Sequence, residues 1–164
     1  MHRMSLSRRS GGASLPSPLQ RLLSTEPSRA LLFQRLTLGV VMFPHGAQKL
    51  LGWWGGFGFD RSMRYFSDVV HLPAPLGFLV IVAESFGALA LMLGALTRVA
   101  AAGIAVVMAG ALVTTHLANG FFMNWFGNQA GEGMEFDLLL FGLALPLAVL
   151  GGGSTSVDGR ATRS

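Results

Sequence analysis

Between Leu76 and Leu96 the chain runs through 21 residues with a single charged side chain, Glu84. As a helix, rising about 1.5 Å per residue, such a stretch matches the roughly 30 Å hydrocarbon core of a bilayer. Three further apolar blocks accompany it. Ala30–Leu51 is interrupted by Gln34, Arg35, His45, Gln48 and Lys49; Val99–Ala118 has no acid or base except His116; Met134–Leu150 opens with Glu135 and Asp137. Of the 164 residues 51% are hydrophobic and only 12% charged, against about 25% charged in soluble domains. A soluble helical bundle this small would leave those runs exposed. The expected fold is all-α: an integral membrane four-helix bundle.

Residues 1–29, rich in Arg, Ser and Pro with one acid, Glu26, read as a disordered basic tail. Ser7-Arg8-Arg9-Ser10 resembles an export signal only superficially, because no apolar core follows within reach. Residues 30–153 form the membrane domain, and 154–164 a polar C-terminal tail. Gly52–Pro75 connects spans one and two. Within it Asp60–Val70 carries Met63, Phe66 and Val70 among charges, which predicts a short amphipathic helix. Thr97-Arg98 is short enough only for a tight turn between antiparallel spans. Placing both tails and that turn on one side gathers Arg3, Arg8, Arg9, Arg21, Arg29, Arg35, Arg98, Arg160 and Arg163 there, against Lys49, Arg61 and Arg64 opposite. Positive charge favours the cytoplasm, so both termini are expected inside, with Arg35 snorkelling toward its end of the helix.

On that topology His45, Glu84, His116 and Glu135 fall at similar depths near the outer side, one from each span. Ionisable groups in hydrocarbon turn toward partners or water. His45 and Lys49 share a helical face one turn apart. Glu84 shares a face with Gly87 and Ala88, His116 with Ala105 and Ala109, and Glu135 with Leu139, Gly142 and Pro146, so all should point inward. Glu84 is expected to pair with His45 or Lys49. Plainer readings exist for each: Lys49 snorkelling outward, His116 hydrated at the interface, Glu135 and Asp137 complementing a helix N-terminus. Trp53, Trp54 and Trp125 suit the headgroup layer.

Several chemistries are excluded. No cysteine is present, which removes disulfides, thiolate metal sites and iron–sulfur clusters. The Glu-x-x-His pair of di-iron bundles is absent, since the sequences are Glu84-Ser-Phe-Gly and Glu135-Phe-Asp-Leu. A single metal on His45, Glu84 and His116 is the one alternative of that kind; otherwise no bound metal or flavin is expected. No glycine-rich phosphate loop, nucleophile elbow or aromatic-interleaved basic patch occurs, so neither nucleotide nor nucleic acid is an expected partner.

The ordered series Arg35-Leu-Thr-Leu-Gly, His45-Gly-Ala-Gln-Lys49-Leu, Pro73-Ala-Pro, Glu84, Leu96-Thr-Arg98, His116-Leu-Ala-Asn119-Gly-Phe-Phe122, Glu135 and Ser156-Val-Asp158 resembles the DoxX family of small four-helix membrane proteins. The resemblance implies a multi-pass protein of the bacterial inner membrane, some of whose relatives look like quinone-linked oxidoreductase subunits. The expected function is a redox-associated subunit that admits a quinone or similar apolar ligand from the outer leaflet. His45 and Glu84 would handle protons, Lys49 would stabilise a quinol anion, and His116 would donate a hydrogen bond to a carbonyl. Asn119, Glu135 and Trp53 complete the candidate ligand-binding set. With no electron-carrying cofactor site of its own, the chain would need a partner subunit or would bind the quinone without reducing it. The alternatives are a membrane scaffold or assembly partner and, more remotely, a small carrier or proton-coupled transporter.

Overall fold

In the computed structural model, which describes residues 17–163, every regular element is helical and no strand occurs among those residues. The Ser7–Ser10 arginine pair lies outside them. Helix α1 is Pro18–Leu23, α2 Ala30–Leu51, α3 Gly58–Asp68, α4 Ala74–Leu93, α5 Thr97–Asn119, α6 Glu135–Leu150 and α7 Val157–Ala161. The long helices pack α2 on α4 and α6, α4 on α5, and α5 on α6. Between them lie Leu38, Met42, Leu91, Ile104, Leu140 and Leu147, all fully buried.

Helix α2 has the bounds expected from its apolar run and continues through Pro44. It stops at Gly52, whose φ of 73° is the left-handed conformation that closes helices without a Cβ penalty. The amphipathic helix is present as α3. Its buried residues Ser62 and Phe66 stand one turn apart, and Phe66 packs where Gly77 of α4 has no side chain. Two helices, α4 and α5, are long and apolar enough to cross a membrane. Helix α2 carries charge near both ends, and α6 has 16 residues.

Two features of α4 and α5 have no counterpart in the apolar pattern. Each contains a π-helical turn, Ala83–Gly87 in α4 and Leu112–His116 in α5. The connection between them also comes earlier than the sequence suggests. The chain reverses at Gly94–Leu96, with φ of 71° at Gly94 and 49° at Leu96, and Thr97 and Arg98 already belong to α5. The reason is a cap supplied from far away. Asp158 accepts the free amides of Leu96 and Thr97, each at 2.8 Å, the groups a helix start leaves without partners.

The turn end of the molecule is knitted from segments that read as tails. Residues 17–29 include α1, closed by a reciprocal Ser17–Gln20 capping box. Next to it Leu150 O accepts from Glu26 N, and Thr25 Oγ1 accepts from Gly153 N. Ser156 and Asp158 of the C-terminal segment are buried. Arg35 does not snorkel: it is 3% exposed and donates to the carbonyls of Leu91 and Met92 and, from Nε, to Gly152. An arginine with inward acceptors has no reason to reach for the headgroups.

Candidate functional site

At the opposite end, which carries α3 and the 120–134 connector, one ion pair and one histidine–carboxylate hydrogen bond join four helices. Lys49 Nζ of α2 lies 2.6 Å from Glu84 Oε2 of α4. His116 Nδ1 of α5 lies 2.6 Å from Asp137 Oδ2 of α6. Glu84 is 4% and Asp137 1% exposed. Charge-assisted contacts this short are the strong kind, and burial makes each acid depend on its partner.

The π turns explain the placement. A π turn adds a residue to the ladder and shifts everything after it around the axis, and such turns recur at functional sites. Glu84 lies in one and His116 in the other. The first also sits where α2 comes closest, because Gly46 faces the backbone of Glu84 and Ser85. Gly46 and Lys49 are one turn apart on α2, so the contact that brings the backbones together delivers the ammonium to the carboxylate.

His45 makes no hydrogen bond to another described residue; its ring lies 5.8 Å from that of Phe136, the residue before Asp137. It also stands one turn from Lys49 on α2. Glu84 has taken Lys49 rather than His45, one of its two expected partners. All five ionisable groups, His45, Lys49, Glu84, His116 and Asp137, line one groove of about 1750 Å³. Its walls are apolar: Leu76, Leu79 and Ala83 from α4, Gly103, Val106 and Gly110 from α5. It runs toward the turn end, where Leu96 and Arg98 line it.

Three sequence candidates fall outside this groove. Asn119 braces the connector, donating to Thr115 O and Glu132 O at 3.1 Å each. Glu135 accepts from Trp125 Nε1 at 3.3 Å. Its helical face is not the inward one, since Leu139 there is 68% exposed. Trp53 is half exposed and packs edge-on against Trp54. Nor do His45, Glu84 and His116 meet as metal ligands, for no three His, Asp or Glu side chains among the described residues are grouped to hold an ion.

Asp137 was the residue sequence reasoning passed over. The signal was present: Asp137, Leu140, Ala144 and Leu147 are the buried residues of α6, spaced at helical intervals on one face. Glu135, two residues earlier, belongs to a different face.

Breaking one pair should be costly. Lys49→Met leaves a carboxylate buried without its cation and is expected to destabilise the protein by about 3 kcal/mol. The double replacement Lys49→Met with Glu84→Gln should restore most of that loss. Unfolding in mild detergent measures both, and additive losses would show that the pair is not coupled.

Every described element is helical, two helices are long and apolar enough to cross a membrane, and two buried carboxylates meet basic partners on neighbouring helices, which defines a class of apolar helical proteins with a polar cluster between helices. More particularly, the DoxX family model matches residues 30–117, and the chain belongs to the DoxX family. It is 26% identical over 127 residues to the Bacillus subtilis (strain 168) protein named "Putative oxidoreductase CatD", a match that covers 77% of this chain and 83% of that one. No solved structure matches it.

Proposed function

We propose that α2, α4, α5 and α6 form a four-helix transmembrane bundle of the bacterial inner membrane, with both termini cytoplasmic, whose groove binds a quinone or similar apolar ring as part of a redox system. One observation carries the reading. An apolar groove of about 1750 Å³ is lined by the Lys49–Glu84 ion pair, the hydrogen-bonded His116 and Asp137, and a histidine free of hydrogen bonds to described residues. Ligand sites are commonly apolar walls with a few convergent polar groups, and a quinone has that same division between ring, tail and polar oxygens. The relative named as an oxidoreductase agrees in reaction class. His45, His116 and Lys49 are the groups able to meet the ligand's oxygens, and Glu84 and Asp137 hold the latter two in place. Electrons would pass to or from a partner subunit.

The test is equilibrium binding of an alkylated benzoquinone and a naphthoquinone to the protein in lipid nanodiscs. The folded wild-type protein should bind at least one saturably, and Glu84→Gln should weaken binding about tenfold while the protein stays folded. That factor corresponds to about 1.4 kcal/mol, within the range for a charged contact to a polar ligand atom. A folded wild-type protein that binds neither ring would overturn the reading. Loss of folded protein on Glu84→Gln, with ligand binding absent throughout, would favour the scaffold alternative, in which the pairs only fix helix packing.

A further inference from the structure

The two oxygens of the Asp137 carboxylate stand in different situations. Oδ2 lies 2.6 Å from His116 Nδ1, whereas Oδ1 is buried with no hydrogen-bond partner among the described residues. A carboxylate only accepts, so Nδ1 carries the hydrogen of this contact. In the neutral ring Nε2 is then an acceptor. Nε2 has no partner among the described residues, and His116 lines the groove.

We infer that Asp137 is a positioning residue that fixes His116 in the tautomer whose Nε2 accepts a hydrogen bond, so that the groove selects a hydroxyl-bearing aromatic ring, a quinol or related phenol, over the carbonyl form. The inference rests on the groove being a quinone-class site, and it reverses the donor role that the sequence suggested for His116. The placement is rigid, because Asp137 is 1% exposed on the core face of α6 and His116 is held in a π turn. The same arrangement defines a proton step. The ligand O–H bond breaks, an Nε2–H bond forms, and a phenolate oxygen and an imidazolium result, the latter balanced by Asp137. No electron moves in that step.

The test uses full-length protein in nanodiscs, with ¹⁵N-histidine labelling to read the ring tautomer and anaerobic titration with duroquinol and duroquinone. The wild-type His116 signal, assigned by its loss in His116→Gln, should show Nδ1 protonated and Nε2 bare, and duroquinol should bind about tenfold tighter than duroquinone. Asp137→Asn places an amide beside Nδ1 that can donate to it. The tautomer should flip, and the preference should reverse toward duroquinone. A residue with only a structural role would weaken both ligands alike, and that result would overturn the inference. So would a wild-type ring protonated at Nε2, whether alone or together with Nδ1. Where Asp137→Asn does not fold, the wild-type tautomer and the wild-type affinity ratio decide. Equal affinity for the two ligands overturns the selection of the hydroxyl form and leaves quinone binding standing; binding of neither overturns both.

Discussion

Replacing Arg35 with methionine is expected to destabilise the protein by about 3 to 5 kcal/mol, although methionine fills much of the same space. The guanidinium is buried and bonds to Leu91 O at 2.9 Å, Met92 O at 2.5 Å and Gly152 O at 3.1 Å. These carbonyls end α4 and follow α6, so one side chain from α2 holds together three segments that approach from different directions. Without it, the carbonyls of Met92 and Gly152 lose their side-chain donor while Leu91 O keeps the amide of Gly94 at 3.1 Å, and each buried group left unpaired costs about 1–3 kcal/mol. Arg35→Lys should recover less than half of the loss, because a point ammonium cannot reproduce the planar fork. Thermal unfolding in mild detergent is the measurement. A methionine variant within 1 kcal/mol of wild type would show that the arginine is incidental to the fold.

The contrast between Arg35 and its expected snorkelling shows where sequence reasoning reached its limit. Apolar length located α2, and near enough α4, α5 and α6, because a run of apolar residues is written in consecutive positions of the chain. The groups that satisfy Arg35 are 56, 57 and 117 residues away, and nothing local to Arg35 announces them. Asp158, which lies in a segment that looks like a polar tail, likewise fixes the start of α5 from 61 residues away. The candidate site divides in the same manner. Glu84 stood out as an acid in hydrocarbon, and Lys49 as one of its two partners. The π turns that aim Glu84 and His116 break the regular period on which facing arguments depend. At α6 the period was intact, and it pointed to Asp137; attention to Glu135, nearer the helix start, took the wrong face.

Replacing Gly46 should disrupt the site without removing any charge, because the obstacle is backbone. A Cβ at that position would stand 2.6 Å from Glu84 C and O and from Ser85 Cα, closer than packed atoms come. None of these is the flexible end of a side chain, so the helices themselves must separate. Gly39, seven residues earlier on the same face, meets Ala88 O at 2.9 Å by the same construction, which makes the α2–α4 seam a close approach along two turns. Gly46→Ala is therefore expected to cost about 3 kcal/mol, at the upper end of overpacking penalties, and Gly46→Val more. The displacement falls on the π turn that carries Glu84, so the 2.6 Å contact with Lys49 should be lost and the proposed quinone binding with it, even in the fraction that remains folded. Gly142→Ala supplies the control, since nothing lies within 4 Å of a Cβ there; it should be neutral or gain a few tenths of a kcal/mol from helix propensity. If Gly46→Ala unfolds at the wild-type temperature and binds ligand as well as Gly142→Ala does, the close approach of α2 to α4 is not what sets the position of Glu84.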